Sequence, residues 1–313
     1  MITSFFKNNL VSYIFIPILA AILWATNYYN ITLQTPIKVN IGLDSYTFSV
    51  LQFHIITYSI AIITGFILNI KIKKHLFNYD PSNLTFLFYI LFSSLCISTS
   101  NYLWLITCSS ILVLILHYLF IFNEKNTLDN SLFNSAFLVG ILFLINIQFI
   151  ALITFLLLSY SSISKLSFKH ISLVIIGVFL PFIYVVLFSS LTDNNDVISY
   201  VFDVSFSLPT LNWKTIGLLL LILTPSVFGF ITSIQKRSGT DASTLRVMKI
   251  VFTLFLFISL ISISNMFTAN LESFFALISV PASILITAFF KNSPSIKKEI
   301  LFVLIVIFCV FYR

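Results

Sequence analysis

Residues able to do chemistry are scarce in this chain: ten acids and four histidines in 313 residues. The longest polar interruption, LTDNNDVISYVFDVSFSLPTLNWK at 191–214, holds three of those acids, Asp193, Asp196 and Asp203. Asp44 lies in the loop after the first apolar segment, and Glu272 opens a later one. Facing one cavity, such carboxylates can serve as a general base or hold a divalent metal against a lipid phosphate. Asp44, Glu272, Asp193 and Asp196 are therefore the candidate catalytic residues. Lys38 and Lys214 share loops with Asp44 and Asp193, where they can pair with an acid or bind a diphosphate. His54 stands with Gln52 at the start of the second apolar segment. These three are the candidate substrate-binding residues. Each has a plainer reading: loop acids keep a loop hydrated, Glu272 complements a helix dipole, and a lone His54 or His117 packs and hydrogen-bonds.

No phosphate-cradling glycine loop, HExxH, nucleophile elbow or calcium loop is present, so ATP hydrolysis by this chain is set aside and no cofactor is identified. A divalent metal stays open. Cys96, Cys108 and Cys309 sit in apolar segments without CxxC spacing, as buried inert thiols do.

The elements that must position these residues are membrane helices. The chain is 59% hydrophobic and 9% charged, against about 25% charged in a soluble domain. Apolar runs of bilayer-crossing length recur throughout, and the alternating segments of a barrel are missing. The expected fold is all-α, a polytopic transmembrane helical bundle of about 11 segments forming one domain over 1–313, without a soluble domain. The opening residues read as a retained first span, about 10–28, rather than a secretory signal. A second span covers about 51–70 and ends at Lys71, Lys73, Lys74 and His75. Two hairpins follow. One, 84–121, turns at 98–101. The other, 131–163, turns near Asn146 on arms of about 15 residues, short of the ~20 a perpendicular crossing needs. Five more spans lie at about 171–190, 215–234, 247–264, 273–290 and 300–312.

With the N-terminus cytoplasmic, fourteen of the seventeen Lys and Arg fall inside, leaving Lys38, Lys214 and Arg313 outside. That asymmetry obeys the positive-inside rule and puts the C-terminus in the periplasm. It also explains the net charge of +7 without nucleic acid as a partner. Trp24, Tyr28, Tyr29 and Trp213 are expected at the outer interface. Pro17, Pro181, Pro225 and Pro281 are expected as kinks within spans. Few ionisable residues lie mid-membrane, which disfavours ion-coupled transport. Only seven glycines are present, which disfavours broken-helix sites and close small-residue packing. The segment 193–203 reads either as a short helix on the outer leaflet or as an extended stretch before Pro209.

The opening MITSFF leading straight into a span, the A+T-biased composition, and Gly177 followed by Pro181 resemble a family of uncharacterised multi-spanning inner-membrane proteins of flavobacteria and their relatives. That likeness implies a Gram-negative inner membrane. In topology alone, Asp44 in the first external loop is similar in position to the catalytic acid of membrane glycosyltransferases that use polyprenyl-phosphate-linked sugars. Here the loop is about 22 residues long, Asp44 has no adjacent acid, and no soluble domain follows. The leading expectation is an envelope protein handling a lipid-linked glycan at the outer leaflet. A non-enzymatic subunit of an envelope assembly or secretion complex, or a small-molecule transporter, are the alternatives. Expected partners are membrane lipids, a lipid-linked substrate or other membrane subunits.

Overall fold

The structure, a computed structural model, describes residues 10–31, 37–41, 44–76, 82–96, 102–122, 128–191, 213–236, 242–265, 275–292 and 295–311. Eleven α-helices lie among them: α1 (Leu10–Ile31), α2 (Val50–Leu76), α3 (Leu84–Ser93), α4 (Tyr102–Phe122), α5 (Leu128–Ile145), α6 (Ala151–Ser161), α7 (Phe168–Leu191), α8 (Trp213–Lys236), α9 (Ala242–Asn265), α10 (Phe275–Asn292) and α11 (Ser295–Phe311). By length and apolarity α2, α4, α7 and α9 can each cross a membrane. A helix satisfies its own backbone, which is why apolar runs of this kind become helices in hydrocarbon. The all-α bundle is the fold observed. One addition is a two-stranded antiparallel hairpin, β1 (Ile37–Ile41) and β2 (Asp44–Phe48), where the sequence reads as a polar loop.

The core lies around α3 and α10. All ten residues of α3 are buried, as is every residue of α10 from Phe275 to Ala288. At 1.5 Å per residue α3 rises only about 15 Å, half a hydrocarbon core. It packs against α10, α2, α1 and α11. Phe88 meets Phe290 and Phe302 at ring-centroid distances of 5.1 and 6.0 Å. The helix runs on into a single 3-10 turn, Ser94–Cys96, and the Ser94 N–H donates to the Ile90 carbonyl. Here Ser93 and Ser94 turn their hydroxyls back onto Ile90 and Leu91 carbonyls. The hairpin expected at 84–121 is therefore asymmetric, one arm interior and short, the other a 21-residue helix; its turn lies outside the described residues. The second hairpin turns as expected, with Asn146 Oδ1 accepting the Gln148 N–H at 2.9 Å.

The expectation against small-residue packing is overturned. A Cβ on Gly229 would sit 2.0 Å from the Leu285 carbonyl oxygen, and one on Gly140 would sit 2.3 Å from that of Val178. Gly177 meets Ala136 in the same crossing, so α5 and α7 approach through a glycine from each side. Glycine is rare in this chain but sits where helix backbones nearly touch. The two helices start together as well, where Lys169 and His170 face Asp129. The four prolines lie inside helices as expected, and Cys108 and Cys309 are buried and outside any disulfide.

Candidate functional site

Contacts between helix ends divide the bundle into a hairpin end and a lysine-rich end. At the hairpin end, Trp24 late in α1 donates to Thr57 Oγ1 early in α2 at 3.3 Å. Its ring also meets those of Tyr58 and Tyr102 at 6.0 and 6.2 Å. Trp24 is 3% exposed. It clamps α1, α2 and α4 together instead of anchoring at the interface, the role expected of it.

The hairpin at this end pairs Lys38 with Thr47 and Asp44 with Ile41. Since strand positions alternate between faces, Asp44 holds a register position with Ile37, Val39, Tyr46 and Phe48. Lys38 holds one with Asn40, Ser45 and Thr47. The two candidates thus occupy positions of opposite faces. A capping box joins the hairpin to α2: the Ser49 N–H donates to Gln52 Oε1 at 3.2 Å, and the Gln52 N–H donates to Ser49 Oγ at 3.3 Å. One turn in, His54 is buried, with Nδ1 against the Val50 carbonyl at 2.8 Å. That bond places the proton on Nδ1 and makes Nε2 the acceptor in the neutral ring. Lys214 is the second residue of α8. Asp193, Asp196, Asp203 and Glu272 lie outside the described residues.

The lysine-rich end holds an arrangement the sequence reading missed. Helix α2 continues to Leu76 instead of ending near residue 70, so Lys71, Lys73, Lys74 and His75 occupy its last turns. Asn69 and Lys73, one turn apart, both reach Asn83 Oδ1, at 3.0 and 2.6 Å. Asn83 Nδ2 donates to Ser12 Oγ at 2.5 Å, and Lys73 also donates to Tyr13 at 3.0 Å. Asn69, Asn83 and Ser12 have no exposed surface. An ammonium beside Asn83 permits only the oxygen there, so Lys73 fixes that amide, and Asn83 in turn fixes Asn69. The result leaves Asn69 Oδ1 buried without a hydrogen-bond partner among the described residues. The available signal was Asn69 one helical turn before Lys73, on the same face.

Beside this network, Lys71 Nζ stands 3.3 Å from His117 Nε2, near the end of α4. Elsewhere Thr85 bonds Thr287 at 3.2 Å and Tyr89 meets Ser109 at 2.8 Å, tying α3 to α10 and α4. At the start of α7, His170 Nδ1 receives both the backbone N–H and the hydroxyl of Ser167, with Nε2 3.5 Å from Asp129. Although this assembles a serine, a histidine and an aspartate, the shared backbone bond makes it a helix cap. No three His, Cys, Asp or Glu among the described residues lie together to hold a metal.

Residues 28–313 match a family of unknown function, DUF6427. The chain belongs to the DUF6427 family. The match takes in the hairpin, α2 and every later helix, and begins after Ser12, Tyr13 and Trp24 of α1. No curated protein matches the chain. No solved structure matches it.

Proposed function

We propose that this DUF6427 chain is a multi-pass protein of a Gram-negative inner membrane, of flavobacterial type, that handles a lipid-linked glycan at the outer leaflet as a transferase or polymerase. The lysine-rich end faces the cytoplasm, in keeping with the positive-inside asymmetry, and the hairpin end faces the periplasm. One observation carries the reading: the loop holding Asp44 is a built element. Asp44 opens a strand that runs through Ser49 into α2, coupled to it by the capping box one turn before buried His54. Chemistry needs groups held on rigid elements, and a solvating loop has no use for such coupling. Asp44, with Glu272, Asp193 and Asp196 from the later loops, supplies the carboxylates. Lys38, Lys214 and His54 are assigned to the substrate, and a divalent metal fits the same carboxylate chemistry. The test is Asp44→Ala and Glu272→Ala in the native host, with envelope glycans profiled. Altered glycans with normal protein levels support the reading, and an unchanged profile overturns it.

A second reading, a non-enzymatic subunit of an envelope complex, is favoured by α7. That helix leaves Phe179, Ile183, Tyr184, Leu187 and Phe188 open. Stable co-purification with another membrane protein, lost on Phe179→Ala with Phe188→Ala while glycans stay unchanged, supports this reading over the first.

A further inference from the structure

The hairpin of α5 and α6 stops short of the helix beside it. Helix α4 ends next to Lys71, so α5 starts at the lysine-rich end and turns at the other end, through Asn146 and Gln148. Along its whole length α5 runs side by side with α7. Asp129 faces Lys169, Gly177 meets Ala136, Gly140 meets Val178, and the rings of Phe143 and Phe182 stand 6.4 Å apart. These partners keep nearly one offset, which sets Asn146 level with residues 185–187 of α7. From there α7 continues to Leu191, about 8 Å further at 1.5 Å per residue. Its surface over that stretch is apolar at Leu187, Phe188 and Leu191, all exposed.

The turn itself is polar and lies on an open flank. Asn146, Ile147 and Gln148 are half-buried, and Ile150 and Leu158 of the returning arm are 48% and 50% exposed. If α5 went on, the amides of Gln148 and Phe149 would meet the Leu144 and Ile145 carbonyls. They turn to Asn146 instead, one to its side chain and one to its carbonyl. Carbonyls left at a helix end need donors, and hydrocarbon has none. From Asp129 to Asn146 the arm rises only about 26 Å, less than the ~30 Å of a hydrocarbon core.

We propose that the leaflet on the hairpin side dips at this flank, bringing phospholipid headgroups and their water down to the α5–α6 turn. Along the outward face of α7 the bilayer keeps its ordinary thickness. The dip lets water meet the carbonyls at the end of α5 while Leu187 and Leu191 stay in hydrocarbon, which no flat leaflet achieves. This interaction surface requires only that the bundle spans a membrane, so it stands or falls separately from the glycan reading.

The test is electron paramagnetic resonance of the full chain in vesicles of phosphatidylethanolamine and phosphatidylglycerol. The three cysteines are replaced by alanine and one spin label is attached at a time. Ile147→Cys and Gln148→Cys label the turn and keep the Asn146 cap, and Leu187→Cys labels α7 at the same level. Collision with a water-soluble nickel chelate, relative to oxygen, is expected to be about tenfold or more higher at 147 and 148 than at 187, since hydrocarbon excludes polar solutes at least that strongly. A ratio at the turn no higher than at 187 overturns the proposal. Low values throughout would put the turn in hydrocarbon, and high values throughout would put the end of α7 outside a flat membrane. Should the labelled chains fold poorly, hydrogen exchange of the wild type in the same vesicles decides. The peptide spanning the turn is then expected to exchange within minutes, and protection equal to that of the middle of α5 overturns the dip.

Discussion

Lys73 Nζ lies 2.6 Å from Asn83 Oδ1, and this one contact fixes the orientation of a buried amide pair. Asn83 offers its oxygen to Lys73 and Asn69 together and its nitrogen to Ser12, joining α1 and α2 to the entrance of α3. A charged donor makes the stronger bond, so the cationic partner decides which way the amide faces.

Removing Asn83 should therefore cost more than one hydrogen bond. Asn83→Ala is expected to destabilise the protein by about 2–3 kcal/mol, because the buried Asn69 amide and the half-buried Lys73 ammonium lose their shared acceptor. Adding Lys73→Met should recover part of that loss, a coupling read from a double-mutant cycle of unfolding in detergent. Strictly additive losses would show that the three side chains do not act together.

The glycine contacts give an ordered prediction. A methyl group at Gly229 meets the Leu285 carbonyl at 2.0 Å, whereas at Gly65 it meets the rings of Phe86 and Tyr89 at 2.7 and 2.8 Å. Backbone cannot rotate away, but ring edges can shift. Gly229→Ala should cost about 1–3 kcal/mol and Gly65→Ala less, measured as the loss of melting temperature in one detergent. Equal losses would mean that α8 and α10 separate freely.

Much of the bundle was legible because hydrocarbon imposes one simple rule on apolar runs. Helices of spanning length, the four prolines and the turn at Asn146 follow from it. Orientation of those helices toward lipid or protein did not, because α3 and α7 read alike as apolar runs, yet one is wholly buried and the other is largely open. The hairpin did leave a trace, since IKVNI and DSYTF alternate with period two around Gly42. The capping box was likewise present as Ser49-x-x-Gln52. Asn69 and Asn83 gave less, being fourteen residues apart and joined only when α3 turns back along α2. The acids at 193, 196 and 272 lie outside the described residues, so their relation to Asp44 rests on the glycan test.

The ion pair between Asp129 and Lys169 carries a pH signature. Asp129 precedes the apolar run that begins at residue 131, and its bond to Lys169 holds the carboxyl below the ordinary carboxylate range. A lowered carboxyl stabilises the fold above the unfolded value of about 3.9, and that contribution is lost as pH falls through the folded value. Asp129→Asn should thus produce a small, constant deficit from pH 5 to 8 that vanishes in strong acid. A deficit that persists undiminished in strong acid would show that the carboxylate charge is not its source. High salt should shrink it, since the pair is exposed.

Whether α3 is truly interior can be decided by two serines of equal size. Ser93, at the end of α3, has no exposed surface, whereas Ser59, within α2, is exposed. In a chain whose three cysteines are replaced by alanine, Ser59→Cys should react with a membrane-permeant thiol probe. Ser93→Cys should stay silent until the protein is unfolded. Serine to cysteine changes volume little, so lost packing does not explain a difference between them. A conventional crossing arm would expose part of its surface to lipid and react, for residues 84–93 would then need an outward face. Silence at Ser93 instead follows from a half-length helix enclosed by α2, α10, α1 and α11, its two terminal serine hydroxyls turned onto carbonyls of the preceding turn.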